Sequence, residues 1–178
     1  MKTNIAVLFF LLVSAAAHSQ IYITRTGSIN FYSQTPLEDI KAVNNQVYAV
    51  INTAKKEIAF TLLLKGFEFR KELMQTHFNE NYVESDKYPK ATFTGTYTGD
   101  VATSGVSNIQ VQGSLTLHGT TKNVQMPATL ELSGGKLTGH SRFRLTPGDF
   151  AITIPALVRE KIAKDIDVDV MVTCDLLK

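Results

Sequence analysis

The feature that most limits the fold is a single helical stretch in a chain otherwise made of short strands. In the block 67–98, the apolar residues Leu73, Met74 and Phe78 recur at helical spacing and lead into a turn-rich segment that breaks at Tyr88-Pro89. A strand of alternating threonine and aromatic residues follows. One helix inside an all-β chain is typical of a closed sheet with a cap or an insertion. We therefore expect the functional site inside that sheet.

The strands themselves show a strict two-residue period. In the segment 166–176, apolar Ile, Val, Cys and Leu alternate with Asp, Met and Thr, so that one face is buried and the other is mostly wet. The segments 58–64, 111–117 and 124–130 repeat this pattern. Antiparallel strands with one apolar face pack as a sandwich or close into a barrel, and the periodicity is compatible with both.

Turn residues between the apolar runs predict the individual elements. We expect an opening strand pair over 22–31 broken at Gly27, and a short helix or a charged loop over 156–164. The other predicted elements are a hairpin of 47–52 with 56–64, a hairpin of 109–117 with 122–132, and the strands 91–97, 137–145, 150–154 and 166–176.

The N-terminus has the pattern of a secretory signal peptide. Lys2 precedes the apolar run 5–13, and Ala17 and Ser19 are small residues suited to cleavage before Gln20. The run is short for a membrane anchor, which is the alternative interpretation. We therefore expect a signal peptide over 1–19, one mature domain over 20–178, and a periplasmic or secreted protein.

The residues give little support for catalysis, metal binding or nucleic-acid binding. His77, His118 and His140 lack metal-ligand spacing, and His118 lies in a predicted hairpin turn, where we expect it to be exposed. The acidic run at 165, 167 and 169 has the period of a solvated strand face. The single cysteine, Cys174, excludes an internal disulfide and is predicted to be a buried, inert thiol. A net charge of +2 without a long run of one sign does not favour a nucleic-acid partner. No enzyme activity, metal or cofactor is predicted.

Four segments resemble the YceI-like family of exported lipid- or polyisoprenoid-binding proteins, in a form typical of the Bacteroidetes. The most specific elements are Tyr-Pro-x-x-x-Phe at 88–93 and Leu-Thr-Leu-x-Gly-Thr-Thr-Lys-x-Val at 115–124. The segments themselves are 73–95, 113–132, 143–154 and 154–170, in the order of the family. They span most of the mature domain.

The resemblance implies a lipocalin-like, extended antiparallel barrel of about eight strands, with the helix packed at one end. It also implies that a polyisoprenoid or quinone-like lipid lies in the barrel interior and is stored or transported there. The residues expected to contact this lipid are Phe60, Leu62, Leu64, Phe78, Phe93, Leu115, Leu117, Phe143 and Phe150. A polar head group would then lie at the mouth, within reach of Arg70, Lys71, His77 and Asn79.

The sequence departs from better-known family members around the helix, at 70–75, so that the mouth of the barrel is expected to differ. The interior also leaves alternatives open. Slim residues such as Gly95, Gly113, Ala128 and Cys174 facing large aromatic side chains leave a tunnel or interlock into a solid core. A solid barrel would be an interaction module of the cell envelope with a protein partner, and an enzyme acting on a lipid held in the pore is a third hypothesis. A homodimer and an envelope protein partner are also open alternatives.

Overall fold

The computed structural model describes residues 20–177, and the predicted signal peptide over 1–19 lies outside them. More than half of the described residues lie in strands. The strands are β1 (Ile21–Gln34), β2 (Asp39–Asn52), β3 (Glu57–Leu63), β4 (Glu68–Phe69), β5 (Lys90–Thr98), β6 (Val106–Leu117), β7 (Thr120–Ser133), β8 (Lys136–Leu145) and β9 (Ile166–Leu176). A helix, α1 (Glu72–His77), continues into a π-helical turn over Phe78–Tyr82.

The sheet closes on itself, which decides between sandwich and barrel. The strand order is β1-β9-β8-β7-β6-β5-β3-β2, and β2 returns to pair with β1, so that eight strands form an antiparallel barrel. The short β4 is an extra strand that pairs with Ala42 and Val43, near the start of β2. Because each strand buries one face, closure hides the apolar side chains and removes the sheet edges together. The predicted all-β, lipocalin-like barrel with a short helix is confirmed.

The predicted break at Gly27 is wrong, because 21–34 is one continuous strand. Its register against β2 shifts on both sides of Gly27, which marks a β-bulge rather than a turn. A side chain at this position would run into Val172 and into the backbone of Val47. The glycine therefore lets β1 bend while it stays close to its neighbours, and the strand continues past it.

The first half of β2 was not predicted, because Asn44 and Asn45 give it the composition of a turn. Asn44 is fully buried. Its side-chain amide donates to the carbonyl of Leu63 at 2.9 Å, and its Oδ1 accepts from the backbone N–H of Gln46 at 2.9 Å. A buried amide with both ends hydrogen-bonded is tolerated in a sheet, so that the polar pair lies inside a strand.

Between β8 and β9, one further prediction is corrected and another is confirmed in one of its two alternatives. The predicted strand over 150–154 is instead a 3-10 turn, Pro147–Phe150, followed by irregular chain, and Ala151 takes a left-handed φ of 56°. The segment predicted as a helix or a loop contains a 3-10 helix over Ala156–Lys161. The backbone N–H of Ala163 donates to the Ser33 hydroxyl at 2.8 Å and joins this segment to β1.

The core is divided between the two ends of the barrel. At one end, which we call the packed end, buried residues such as Tyr97, Leu137 and Cys174 fill the interior. The other end, which we call the open end, is surrounded by the helical insertion 72–88 and by the segment 146–164, and its buried residues include Leu64, Phe67, Val83 and Phe150. Among residues 20–177, the helices are too short or too polar to cross a membrane.

Candidate functional site

Two adjoining cavities lie inside the barrel. The wide chamber encloses about 470 Å³ at the open end. The narrow chamber encloses about 110 Å³ nearer the packed end. Side chains from five positions line both cavities, namely Ile29, Leu62, Ala91, Leu115 and Phe143. The chambers therefore lie end to end along the barrel axis and share a common wall.

An aromatic cluster forms one side of the wide chamber. Phe31 lies with its ring centroid 5.2 Å from that of Phe67, 5.6 Å from that of Phe69 and 5.5 Å from that of Phe78. Phe78 also packs on Phe67 at 5.5 Å and on Phe69 at 5.1 Å. These tilted contacts are favourable for aromatic pairs. They attach the helical insertion, through Phe78, to the barrel wall.

Phe93 limits the narrow chamber. It lies on β5 two residues before Gly95, which pairs directly with Gly113 of β6. A Cβ atom at either glycine would meet the Phe93 ring and the backbone of the opposite strand. The glycine pair therefore lets the two strands approach each other and leaves room for the tip of the Phe93 ring. Slim and large residues interlock here, as one of the two predicted arrangements requires.

The packed end is solid. Leu137 and Cys174 are completely buried, face each other across β8 and β9, and line neither chamber. Burial, with a smaller contribution from Asp175, raises the pKa of the Cys174 thiol to about 11. The expected buried thiol is therefore observed. The barrel is thus closed by side chains at one end and hollow at the other.

The residues predicted to contact a ligand are all found around these cavities. Phe60 and Phe93 line the narrow chamber, and Leu64, Phe78, Leu117 and Phe150 line the wide chamber. The other three line both: Leu62, Leu115 and Phe143. The structure thus brings the whole predicted set together, and its contact with a ligand stays a prediction.

The sequence analysis missed most of the aromatic wall. Phe31, Phe67 and Phe69 were not among the predicted site residues, although they line the wide chamber. Phe67 and Phe69 alternate in the segment that forms β4, which is a signal that could have placed both on one face. Phe31 lies on the strand that had been predicted to break.

Charged side chains border the opening of the wide chamber. Lys71 donates to Glu38 at 2.7 Å and joins the start of α1 to the β1–β2 turn. This hydrogen bond and the charge of Lys71 lower the pKa of the Glu38 carboxyl. Lys71, His77 and Lys161 are exposed residues of the chamber lining. Of the predicted head-group contacts, Arg70 and Asn79 do not line the chamber.

His118 is not exposed, contrary to the prediction. Only 11% of its side chain is accessible. Its Nδ1 lies 3.1 Å from the carbonyl oxygen of Phe150, its Nε2 lies 2.7 Å from Oε2 of Glu84, and its ring packs against the ring of Tyr88 at 4.7 Å. The hairpin turn therefore folds its histidine inward against two neighbouring segments instead of presenting it to solvent.

The acidic run of β9 lies on the outer face of the barrel, as predicted. Asp167 accepts from Arg144 at 2.8 Å, and Asp169 accepts from Arg142 and from His140, the latter at 3.2 Å. These are cross-strand ion pairs on a mostly solvated face, which contribute little to stability. Among residues 20–177, no group of His, Cys, Asp and Glu side chains has the geometry of a metal site.

A closed eight-stranded antiparallel barrel with an apolar interior chamber defines a lipocalin-like barrel protein. The chain belongs to the YceI-like family, because the YceI-like domain model matches residues 13–174. None of the curated proteins matches the chain. Its assignment to a Bacteroidetes type stays a prediction.

Solved structures with the same fold are distant in sequence. A polyisoprenoid-binding domain of Saccharophagus degradans is similar with a TM-score of 0.77 and 16% identity, over 89% of this chain and 99% of that one. BcnA of Burkholderia cenocepacia gives 0.70 and 15%, over 83% and 95%. A YceI protein of Campylobacter jejuni gives 0.62 and 16%, over 77% and 85%. At these identities the similarity shows the fold.

Proposed function

We propose that this protein is an exported binding protein that stores or transports a long apolar lipid, either a polyisoprenoid or a quinone-like molecule, inside its barrel. The observation that carries the proposal is the pair of adjoining apolar chambers inside the barrel. The proposed role requires no chemical step. The predicted signal peptide over 1–19 and the family's exported members support a periplasmic or secreted location.

The walls of the two chambers suit a bound hydrocarbon chain. An isoprenoid tail makes no hydrogen bonds along its length, so it needs a wall of apolar side chains such as those of Leu62, Leu115 and Phe143. Burial stabilises a bound chain by about 0.8 kcal/mol per CH₂-like unit, or roughly 4 kcal/mol per isoprene unit, so that about four isoprene units gain roughly 16 kcal/mol before costs. Ordering the chain removes about half of this gain, and the remaining roughly 8 kcal/mol corresponds to a Kd of about 1 μM.

The mouth suits a polar head group. Lys71, His77 and Lys161 bring donors and positive charge to the opening, and Glu38 brings one carboxylate that Lys71 already contacts. In this orientation the tail points toward the narrow chamber and the head group remains at the solvent boundary. The head group then reaches the donors without being desolvated in the apolar interior.

The first test is native mass spectrometry of the protein purified from the cell envelope of its own host, with organic extraction of any bound molecule. We expect a discrete added mass that extracts as a prenyl lipid or a quinone. An empty protein that also ignores added long-chain isoprenoids would contradict the proposal and favour an interaction module with a protein partner.

Adjacent residues of β3 provide a matched pair of variants. Leu62 is 7% exposed and lines both chambers, whereas Leu63 is 48% exposed and points outward. We expect Leu62→Trp to fill the junction of the chambers. The Kd for an isoprenoid alcohol of C15 or longer should then rise by at least about tenfold. Leu63→Trp should bind like the unmodified protein. Equal binding by both variants, with both folded by circular dichroism, would place the ligand elsewhere.

A further inference from the structure

His118 joins three separate segments of the wall of the wide chamber. It follows Leu117, which lines the chamber from β6. Its Nε2 contacts Glu84, which follows the chamber residue Val83 at the end of the helical insertion. Its Nδ1 contacts the backbone carbonyl of Phe150, itself a chamber residue on the 3-10 turn after β8. One imidazole ring therefore sets the relative positions of three wall elements.

The two contacts require both ring nitrogens to carry a proton. The Phe150 carbonyl is an acceptor, and a Glu84 carboxylate is also an acceptor. A neutral imidazole has one N–H and satisfies only one of them, whereas the imidazolium satisfies both. The hydrogen bond from His118 lowers the pKa of the Glu84 carboxyl, which is in agreement with an ionised partner.

The backbone around this contact is held in an unusual conformation. Of the four non-glycine residues with positive φ in the described part of the chain, three lie at the junction: Glu84 at 45°, His118 at 50° and Ala151 at 56°. Non-glycine residues in this region persist only where the surroundings hold them, and they cluster at ligand sites and switches. Two buried polar atoms of the insertion, Asn79 Oδ1 and Ser85 Oγ, also have no hydrogen-bond partner among the described residues.

We propose that His118 is a positioning residue of the ligand chamber: its imidazolium, bound to Glu84 and to the Phe150 carbonyl, holds the chamber wall closed, and the wall loosens when the ring loses its second proton. This inference rests on the proposed lipid-binding function and adds to it a way to couple ligand release to pH. Neutralisation leaves one acceptor without a donor, and the strained segments then lose the contact that holds them together.

Other charged or titratable groups near the junction do not replace the imidazolium. Lys87 Nζ lies 3.9 Å from the second Glu84 oxygen, but on the same loop, so it joins no other segment. Tyr88 supplies ring contact to His118 and lies under Lys87. The remaining charged side chains of the three segments, Asp86, Lys122 and Asp149, are exposed.

Glu84→Gln is the decisive variant. A glutamine carbonyl accepts from a protonated Nε2, and its amide N–H donates to a deprotonated one, so that the junction survives in both states of the ring. His118→Asn removes the junction, and asparagine tolerates the positive φ of this position. His140→Gln is the matched control for the protection of the three segments, because it removes the other histidine paired with a carboxylate, at a position that borders the narrow chamber and not the junction.

The experiment measures two quantities across the pH range in which histidine titrates. The first is the protection of the segments 83–88, 117–122 and 147–152 against hydrogen–deuterium exchange, given relative to the intrinsic exchange rate at each pH because that rate itself rises with pH. The second is the dissociation rate of the apolar fluorescent probe N-phenyl-1-naphthylamine. In the unmodified protein, protection should fall and the dissociation rate should rise together by about tenfold as the pH increases, in line with the loss of one charge-assisted hydrogen bond. His140→Gln should show the same fall in protection. Glu84→Gln should keep high protection and slow release at every pH, and His118→Asn should show low protection and fast release at every pH.

The two readouts separate failure of this inference from failure of the proposed function. If the unmodified protein does not bind the probe or an isoprenoid alcohol, the proposed function fails, and the exchange data alone still decide whether His118 holds the three segments. If the protection of these segments is independent of pH in the unmodified protein, or if it responds to pH in Glu84→Gln as strongly as in the unmodified protein, the positioning role is overturned.

Discussion

Phe93 is the side chain that should set how long a ligand the barrel accepts. It is 8% exposed and its ring covers the Gly95–Gly113 pair at the boundary of the narrow chamber. Phe93→Ala removes this ring and extends the chamber toward the packed end. A core Phe→Ala change costs about 3–5 kcal/mol, and we expect about 3 kcal/mol in the free energy of unfolding, because the ring already borders a cavity.

A longer ligand should recover part of this loss. The space vacated by the ring accommodates about one isoprene unit, whose burial gains roughly 4 kcal/mol. Ordering the added rotatable bonds removes about 2 kcal/mol, which leaves about 2 kcal/mol, or a factor of about 30 in Kd. The chain length at which affinity stops increasing should therefore move up by about one unit in Phe93→Ala.

The assay combines urea unfolding, followed by circular dichroism because the chain has no tryptophan, with competition by isoprenoid alcohols of increasing length against a fluorescent apolar probe. Leu137→Ala is the control: Leu137 is fully buried at the packed end and lines neither chamber. It should lose similar stability without any change in length preference. An unchanged preference in Phe93→Ala, with the expected loss of stability, would refute the idea that the two chambers form one ligand path.

Three further predictions concern the barrel itself. Gly113→Ala should lose about 3 kcal/mol in urea unfolding because its Cβ would overlap the neighbouring strand, whereas Gly148→Ala, with open space around it, should be near neutral; equal effects would contradict the close strand approach. Cys174, with its pKa raised to about 11, should resist thiol reagents in the folded protein at mildly alkaline pH, and rapid labelling would show that the packed end opens. The hydrogen bond from His118 lowers the pKa of the Glu84 carboxyl. The contribution of this carboxylate to stability is therefore present above the ordinary carboxyl pKa and is lost as the pH falls through the lowered value. Glu84→Gln should reduce the dependence of the unfolding free energy on acid pH, and an unchanged dependence would contradict this.

The elements with one buried face could be predicted from the sequence. In β9, every second residue from Val168 to Cys174 faces the interior, so that the alternation of residue types follows the alternation of burial directly. The β6–β7 hairpin was predicted for the same reason, with a turn of two residues, His118 and Gly119, in place of the four expected. Where the local pattern and the tertiary environment agree, the periodicity of the sequence is sufficient to predict the strand.

The features that were predicted wrongly depend on contacts between residues distant in sequence. Asn44 reads as a turn residue, but the carbonyl of Leu63 and the backbone of Gln46 complete its hydrogen bonds inside the sheet. His118 reads as an exposed turn residue, but its partners Glu84 and Phe150 lie more than thirty positions away on either side. Most buried polar side chains have such partners, and a single sequence does not show them.

The candidate site was predicted only in part, because its wall is built in two different ways. Residues such as Leu62 and Leu115 lie on central strands, where facing inward and lining the cavity are the same property. The aromatic side of the wide chamber is assembled from β1, β4 and the helical insertion, whose relative placement depends on how the insertion folds back on the barrel.

The difference between the two ends follows from how the strands are covered rather than from how apolar they are. Both ends carry apolar inward faces. At the packed end, Tyr97, Leu137 and Cys174 belong to one buried cluster and line neither chamber. At the open end, the insertion and the segment after β8 stand away from the barrel axis, held by the contacts of Phe78 and His118, so that the same kind of side chains surround a space instead of filling it. The capacity for a ligand therefore depends on the segments that cap the barrel, and changes in those segments should alter binding with less effect on the stability of the sheet.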